Sequence, residues 1–359
     1  MKKKSIREFL VRPEATIRAA IRCIECNAKG IALVVDENRR LLGTVTDGDI
    51  RGAVLAGRDL DSPITALLEA KAGTQYSRPV TALSSTGRSE LLRLMQQHVV
   101  RQIPLLDEGG RVVDLATLDE LVPVDGPQVQ ALIMAGGAGT RLRPLTDQLP
   151  KPMLPVGGRP VMARIIDQLK AAGISQVNVA THYLSDKIRD YFGNGTEFGV
   201  ELQYVDEEQP LGTAGALGLM KPPVQPLLVI NGDVVTEVNF LAMLTFHREH
   251  KATATVGVRK FDLSVPYGLV ETEGPLLREL AEKPTLSFFI NAGIYLLEPD
   301  ACRQVPSGRR FEMTDLIRLL LTQQKKVASF PIHEYWLDIG AQTDYLRAQQ
   351  DAEGGKLGT

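Results

Sequence analysis

Residues 129–146 read VQALIMAGGAGTRLRPLT, and this stretch decides the fold of the larger part of the chain. Residues 129–134 are apolar enough to predict a buried strand, and a glycine-rich loop follows directly. Residues 161–172 then predict a helix, with Gly173 placed to end it. The stretch therefore predicts a strand, a loop and a helix in succession, which is the opening of a βαβ unit.

The glycine-rich loop predicts a phosphate site. Gly136, Gly137 and Gly139 let backbone N–H groups approach phosphate oxygens without interference from side chains. Arg141 can add bidentate hydrogen bonds to a phosphate, and Lys151 supplies a second cation nearby in the sequence. A tight strand-to-helix turn is the alternative interpretation of the glycines. A P-loop is excluded, because no Lys-Ser or Lys-Thr follows them, and the dinucleotide fingerprint is only partly matched.

The same alternation continues toward the C-terminus. Further strands are predicted over residues 177–181, 202–205 and 227–230, with a helix over 184–192 between the first two. Strands that alternate with helices indicate a mainly parallel, Rossmann-like α/β sheet with helices on both faces. Ligands of such sheets bind beyond the C-terminal ends of the strands, where the polar loops of this chain lie.

Seven short motifs occur in a fixed order. They are the glycine loop with KPMLPV at 151–156, PLGTAG at 210–215, NGD at 231–233, YG at 267–268, EKP at 282–284, NAGIY at 291–295 and WLDIG at 336–340. In this order they resemble the sugar-1-phosphate nucleotidyltransferases. The resemblance implies a catalytic domain over residues 129–350 that joins a nucleoside triphosphate to a sugar 1-phosphate and releases pyrophosphate.

The resemblance also implies a role for each matched residue. Those expected to wrap the triphosphate are Gly136, Gly137, Gly139, Thr140 and Arg141. Those expected to act in catalysis are Arg141, Lys151, Asp233 and Asp338, with Lys151 at the α-phosphate. Those expected at the base are Glu207 and Gly212. Those expected on the sugar side are Gly268, Glu282, Lys283 and Asn291, with Lys283 at the sugar phosphate.

Elementary chemistry is consistent with these roles. A sugar 1-phosphate is already ionised at neutral pH, so its attacking oxygen needs no general base. Bringing two polyanions together is the main difficulty, and positioning and electrostatics should dominate catalysis. The resemblance implies Mg²⁺ at Asp233 and Asp338, and this ion commonly takes one or two carboxylates plus substrate phosphates. A turn or helix-cap role is the alternative for either aspartate.

Substrate choice follows from resemblance alone. The motifs look most like the guanylyl-transferring branch, which makes GDP-mannose and GDP-linked amino sugars or heptoses. Glucosamine-1-phosphate guanylyltransferases of legionaminic acid synthesis, a surface-glycan pathway, are the most similar in motif arrangement. We therefore expect GTP, with UTP, dTTP or CTP as alternatives. A catalytically weak nucleotide-sensing protein is a further alternative, and a glycosyltransferase is disfavoured because no D-x-D motif lies in this domain.

Residues 1–124 follow a different pattern, and a proline-rich linker at 123–127 marks the boundary between them and the rest of the chain. A helix near 17–26, strands at 31–35 and 41–45, and the sequence TDGDIR form one β-β-α unit, which is repeated further along with Asp119 in the place of Asp49. The repeat resembles a tandem CBS domain pair, which implies a regulatory or dimerising module.

The CBS resemblance implies an adenine nucleotide held by Thr46 and Asp49. In that family the hydroxyl meets the phosphate and the carboxylate meets the ribose. The second copy has Ala116 in place of the hydroxyl residue, which weakens the case for a second site. An ordinary helix N-terminus is the alternative interpretation of Thr46 and Asp49. We also expect a homo-oligomer.

Composition argues against other partners. The chain has 41 Lys and Arg against 43 Asp and Glu, a net charge of −2, which gives no reason to expect nucleic acid or an anionic membrane. Charges interrupt the N-terminus where a secretory signal needs an apolar run, so a cytoplasmic protein is predicted. Cys23 and Cys26 are interpreted as half-buried thiols on a helix, and His247 and His250 as solvated helix residues.

Overall fold

The computed structural model describes residues 5–74, 76–121 and 127–357, together with all their side chains except that of Asp119. It divides the chain into two compact units, residues 1–125 and 126–359. Residues 123–126, most of the linker predicted at 123–127, lie outside the described residues. Within the described ranges, no helix is both long enough and apolar enough to cross a membrane.

The N-terminal unit contains two copies of one motif. Its strands are β1 (Leu10–Val11), β2 (Ile31–Val35), β3 (Leu41–Thr46), β4 (Ala82–Leu83), β5 (Gln102–Leu106) and β6 (Val112–Thr117). Its helices are α1 (Ile17–Asn27), α2 (Asp47–Leu55), α3 (Thr65–Ala70), α4 (Arg88–His98) and α5 (Leu118–Leu121). In each copy a short strand pairs in parallel with a second strand, which pairs antiparallel with a third. The predicted internal repeat is therefore present in the fold.

Helix α1 forms as its apolar spacing predicts. Ile17, Ala20, Ile21 and Ile24 are all buried, because residues three and four apart share one face of a helix. The prediction for the thiols is only half right. Cys23 is half-buried, with its Sγ 3.2 Å from the Glu8 carbonyl oxygen, whereas Cys26, next to it in the helix but turned away from the core, is exposed.

The C-terminal unit is built on a larger sheet. Its strands are β7 (Gln130–Met134), β8 (Pro155–Val156), β9 (Arg159–Pro160), β10 (Gln176–Thr181), β11 (Glu201–Asp206), β12 (Leu227–Asn231), β13 (Val234–Thr236), β14 (Ala254–Ser264), β15 (Leu269–Glu273), β16 (Leu276–Ala281), β17 (Thr285–Leu297), β18 (Val327–Ile332) and β19 (Trp336–Asp338). Its helices are α6 (Val161–Ala171), α7 (Ser185–Phe192), α8 (Phe240–Glu249), α9 (Pro299–Cys302), α10 (Met313–Thr322) and α11 (Gln342–Glu353). The predicted elements of this unit are confirmed to within a residue or two.

Seven strands form the main sheet, in the order β11-β10-β7-β12-β17-β14-β18. The first four are mutually parallel, as predicted, but β17 runs antiparallel to both of its neighbours. Three two-stranded sheets, β8 with β9, β13 with β19 and β15 with β16, stand outside it. The sheet is thus mixed, with its parallel half carrying the glycine-rich loop.

Helices cover both faces of this sheet. Along β7, Ala131 and Ile133 pack into one core with α6 and α8, while Leu132 between them packs into a second core with α9 and α10. Successive side chains of a strand point to opposite faces, so a strand buried on both sides must be apolar throughout. Burial of the strand on both faces therefore explains the apolar run at 129–134.

The prediction for His247 is wrong. His247 is 1% exposed, and its ring nitrogens lie 2.8 Å from Thr255 Oγ1 and 3.1 Å from Glu298 Oε1. His250, three residues on, is exposed as predicted and stacks on Phe246. Position 247 faces the sheet rather than solvent, which the polar residue type concealed. Burial lowers the pKa of His247 below its ordinary 6.5, although Glu298 acts in the opposite direction.

Replacing His247 by alanine should destabilise the fold by about 2–4 kcal/mol, through a cavity and an unpaired Thr255 hydroxyl. Because the pKa of His247 is lowered in the folded state, the unfolded chain protonates this residue at a higher pH than the folded chain does. The free energy of unfolding of the wild type should therefore decrease as the pH falls below 6.5. H247A should lose stability less steeply over that interval. Urea unfolding at several pH values measures both effects.

The matched control is H250A, which removes an exposed ring and should cost no more than about 1 kcal/mol. Equal destabilisation by H247A and H250A would contradict the assigned burial of His247.

Candidate active site

The ends of four parallel strands bring the predicted site residues to one edge of the sheet. Met134, the last residue of β7, is paired with Ala180 of β10 and with Asn231 of β12. The glycine-rich loop leaves β7 at this edge, Glu207 directly follows β11, and Asp233 follows β12 after one glycine. Parallel strands place their carboxyl ends on the same side, so residues far apart in sequence meet there.

A cavity of about 200 Å³ lies against the glycine-rich loop. Its lining residues are Gly137, Gly139, Thr140, Arg141, Leu142, Lys151, Asp233 and Gly340. All except Leu142 and Gly340 are residues to which the sequence assigned a phosphate or metal role. The cavity therefore gathers most of the predicted phosphate-binding and catalytic residues, although Gly136 and Asp338 are not among those that line it.

The loop is fixed by contacts of its own. Gly139 has a left-handed backbone (φ 60°), and a Cβ there would lie 2.9 Å from Thr146 Cγ2 and 3.2 Å from Lys151 Cβ. The Thr146 hydroxyl also donates to the Gly139 carbonyl oxygen, at 2.9 Å. Gly137 differs, since a Cβ at that position would meet no atom within 4 Å. Gly139 is needed by the fold itself, whereas Gly137 leaves open space beside the cavity.

Lys151 is the buried cation of the site. It is 9% exposed, its Nζ donates to Asp233 Oδ2, and Asp338 Oδ1 lies 3.9 Å from the same nitrogen. A buried ammonium group is costly unless a carboxylate partners it, so this pairing holds Lys151 in place. Arg141, by contrast, is exposed at the rim of the cavity.

Two short strands bring the aspartates together. β13 pairs antiparallel with β19, so Val234 lies opposite Asp338. The Ile339 amide donates to the Asp233 carbonyl oxygen at 3.1 Å, which continues the pairing by one step. Asp233 lies in the turn before β13 and Asp338 is the last residue of β19, so both carboxylates lie beside Lys151.

The electrostatics of the pair fit a cation. Asp233 Oδ1 is buried and has no hydrogen-bond partner among the described residues. Burial and the charge of Asp233 raise the pKa of Asp338, whereas Lys151 and Arg141 lower it. Lys151 therefore offsets one of the two carboxylate charges, and Arg141 is the second cation near the pair. Among the described residues, no group of three or more His, Cys, Asp or Glu is placed to hold a metal ion.

Glu207 lies on the other side of the loop. It is 8% exposed, its Oε1 has no partner among the described residues, and a Cβ on Gly136 would lie 2.6 Å from its Oε2. His182 Nδ1 is 2.7 Å from the Glu207 carbonyl oxygen. Burial raises the pKa of Glu207, while His182 and a hydrogen bond from the Leu211 backbone lower it.

The four residues predicted for the sugar lie elsewhere in the unit, three of them in segments that flank β15 and β16. A Cβ on Gly268 would lie 3.2 Å from Glu282 Oε2, so these two residues are adjacent, next to β15 and β16. Lys283 follows with a left-handed backbone (φ 44°). Asn291, on β17, accepts a hydrogen bond from the Gly293 amide and donates one to the Tyr295 hydroxyl, at 3.0 and 2.7 Å. None of the four lines the 200 Å³ cavity.

In the N-terminal unit, Thr46 and Asp49 form a helix cap. Thr46 is the N-cap of α2, and Asp49 Oδ2 accepts from the Thr46 amide and hydroxyl at 2.6 and 2.7 Å. Lys71 Nζ lies 2.6 Å from the same oxygen and donates to the Thr44 carbonyl oxygen. The helix-cap interpretation is confirmed. The side chain of Asp119 lies outside the described residues.

Sequence reasoning missed several residues at this edge. Gly340 belongs to the WLDIG motif, which could have indicated that it lies at the site. Leu142 is apolar, and nothing in its residue type indicated a place in the cavity. His182 follows β10 directly and could have been found from that position alone. Glu312, which contacts the loop of Gly212, lies far along the chain and had no local signal.

Comparison with known proteins identifies family models and relatives that match parts of this chain. A family model described as "Nucleotidyl transferase" matches residues 130–354, and one described as "CBS domain" matches residues 4–56. The mannose-1-phosphate guanylyltransferase of Mycobacterium tuberculosis is 33% identical over 64% of this chain and 66% of its own length. The mannose-1-phosphate guanyltransferase of Candida albicans is 35% identical over 61% and 63%, respectively. The chain thus spans slightly less than two thirds of these relatives.

A solved structure extends the comparison to the fold. A Bacillus anthracis protein assigned as a glucose-1-phosphate thymidylyltransferase, crystallised with sucrose, superimposes with a TM-score of 0.52 and 27% identity. The superposition covers 64% of this chain and 98% of the Bacillus anthracis chain. The family model spans more than half of the chain and includes the glycine-rich loop, Lys151 and both aspartates. This chain belongs to the nucleotidyl transferase family.

Proposed function

We propose that this protein transfers a nucleotidyl group from a nucleoside triphosphate, GTP by preference, to a sugar 1-phosphate, with release of pyrophosphate. The observation that carries the proposal is the single cavity lined by the glycine-rich loop, Arg141, Lys151 and Asp233, with Asp338 beside Lys151. Positive groups and backbone amides there are arranged for a polyphosphate, and no nucleophilic side chain is needed. The relatives named as guanylyltransferases support the same reaction class.

Each group that lines the cavity has its own proposed role in binding and catalysis. Amides of the glycine-rich loop bind phosphate oxygens, and exposed Arg141 adds paired hydrogen bonds from the rim. Lys151 lies deeper and neutralises charge at the α-phosphate, where the bond to pyrophosphate breaks. The sugar phosphate oxygen attacks that phosphorus without a general base, because it is already ionised. Orientation and charge stabilisation therefore provide the rate acceleration.

Asp233 and Asp338 are proposed as ligands of a divalent cation, Mg²⁺. They fit the ion because Asp233 Oδ1 is a buried acceptor with no partner among the described residues, and because the pair shares a single lysine. When bound, the ion would neutralise charge on the reacting phosphates. The hard oxygen ligands of this pair suit Mg²⁺, which leaves its remaining positions to substrate and water.

Glu207 is proposed to select guanine. Its buried Oε1 has no hydrogen-bond partner among the described residues, and a carboxylate can only accept hydrogen bonds. Guanine presents two adjacent donors on its Watson–Crick edge, N1–H and the N2 amino group. Uracil and thymine present one donor between two carbonyl oxygens, which a carboxylate repels. Cytosine and adenine each place an acceptor next to their amino group, so guanine suits Glu207 best.

The sugar is proposed to bind near Gly268, Glu282, Lys283 and Asn291, with Lys283 at its phosphate. The adjacency of Gly268 and Glu282 supports a shared subsite. The sugar classes proposed are an amino sugar, mannose or a heptose, and the product would serve surface-glycan synthesis in the cytoplasm. The N-terminal unit is proposed as a tandem CBS pair, regulatory or dimerising, in a homo-oligomer. An adenine nucleotide at Thr46 and Asp49 would have to displace Lys71 from the carboxylate.

The direct test is pyrophosphate release with Mg²⁺ across four nucleoside triphosphates and the 1-phosphates of mannose, glucose, glucosamine and N-acetylglucosamine. Release should require both substrates and be fastest with GTP, and each combination is repeated with AMP and with ATP. D233N and D338N serve as inactive controls. Absence of release in every combination, from folded protein, would favour a nucleotide-sensing role instead.

Substitution of Glu207 by glutamine tests the choice of base. The amide keeps one acceptor but adds a donor that faces the guanine amino group. We expect kcat/KM for GTP to fall about 10- to 100-fold, the worth of a bidentate base contact, with a smaller loss for UTP. An unchanged ratio of GTP to UTP activity would show that Glu207 does not read the base.

A pair of glycine substitutions tests the phosphate loop. G137A places a methyl group in open space, so thermal stability should be unchanged while the KM for the nucleotide rises, because the methyl occupies ligand volume. G139A strains a left-handed backbone and meets Thr146, so it should destabilise the fold by about 1–3 kcal/mol. Differential scanning fluorimetry and steady-state kinetics separate the two effects. Unaltered nucleotide affinity in G137A would contradict the assigned position of the triphosphate.

A further inference from the structure

The loop at residues 211–214 is held by a distant part of the chain. The Phe311 amide donates to the Leu211 carbonyl oxygen at 2.8 Å, and the Ala214 amide donates to the Phe311 carbonyl oxygen at 3.0 Å. These two bonds pair the loop with the segment that precedes α10. The loop begins four residues after Glu207, the residue proposed to read the base.

Glu312 supplies the strongest contacts of this pairing. Its Oε2 accepts from both the amide and the hydroxyl of Thr213, each at 2.9 Å. The Thr213 hydroxyl in turn accepts from the Met313 amide at 2.8 Å, so its single proton is free for Glu312. Hydrogen bonds to an ionised acceptor are stronger than neutral ones. The Thr213 amide is accordingly the main cause of the lowered pKa of Glu312.

Gly212 is shaped to receive this side chain. It has φ 82°, and a Cβ there would lie 2.8 Å from both Glu312 Oε1 and the Phe311 carbonyl oxygen. Only glycine accommodates both this backbone and the close approach. The absence of a side chain at position 212 therefore lets the carboxylate lie directly against the loop.

The loop is connected to Glu207 at its other end. Leu211 follows Glu207 by four residues, its side chain is 3% exposed, and its backbone lowers the pKa of the Glu207 carboxyl. Displacement of residues 211–214 would therefore move Gly212, the second residue expected at the base, together with the backbone that leads to Glu207. Since Oε1 of Glu207 has no partner among the described residues, few bonds of this carboxylate resist that movement.

We infer that Glu312 is a positioning residue for base selection, which fixes the 211–214 loop and through it the orientation of the Glu207 carboxylate. The inference rests on the proposed function. It assigns Glu312 no contact with the reacting phosphates. Loss of Glu312 should therefore weaken nucleotide binding and base discrimination, with kcat and the KM for the sugar 1-phosphate little affected.

The test is steady-state kinetics of E312Q and T213V with GTP and UTP, beside wild type. E312Q weakens the charged acceptor, and T213V removes the exposed hydroxyl that donates to Glu312 and accepts from the Met313 amide, while the Thr213 amide still donates to Glu312. At least one of the two variants should fold. We expect the KM for GTP to rise about 10-fold or more in E312Q and less in T213V. The GTP-to-UTP ratio of kcat/KM should fall in the same order. D300N is the matched control, because Asp300 is an exposed carboxylate paired with Arg303 elsewhere in the unit.

The outcomes separate the inference from the proposed function. Active wild type with an unchanged GTP KM and GTP-to-UTP ratio in folded E312Q and T213V would overturn the inference and leave the function intact. A loss confined to kcat would also overturn it, because a positioning role for the base predicts a change in KM. Wild type without turnover on any substrate pair would overturn both.

Discussion

The pairing of β13 with β19 is the contact on which the candidate active site depends. Each strand has three residues, yet together they bring Asp233 and Asp338 beside Lys151. One side-chain contact with the larger sheet and one with β13 hold β19 in place. The Trp336 indole N–H donates to the Ala292 carbonyl oxygen at 2.8 Å, and the Thr236 hydroxyl donates to the Tyr335 carbonyl oxygen at 3.1 Å. The candidate site thus rests on a few backbone and side-chain bonds between distant segments.

Charge balance explains why these particular residues meet. A buried lysine needs a carboxylate partner, and Lys151 has two within reach. Lys151 offsets one of the two aspartate charges, a divalent cation can balance the other, and Arg141 at the rim can bind the phosphates that accompany it. The arrangement therefore suits a cation and an anion that bind together, as a metal–triphosphate complex does.

The last part of the chain completes both ends of the site. Residues 336–340 supply the second aspartate and Gly340, and residues 311–313 hold the loop that follows Glu207. The parallel half of the sheet provides the phosphate loop, but the later segments set what surrounds it. The surroundings of the glycine-rich loop thus depend on segments that lie far along the chain from it.

The sequence alone determined the α/β class, the family, and the positions of the four parallel strands β7, β10, β11 and β12 with helices α6 and α7. These follow from local patterns, since the apolar run at 129–134, the glycines after it and the order of seven motifs can all be read along the chain. Only the tertiary structure decided the antiparallel course of β17, the burial of His247, the pairing of Lys151 with Asp233 and the contact of Glu312 with Thr213. Each of these joins residues that are distant in sequence, and a contact of that kind depends on how the whole chain packs rather than on any local pattern.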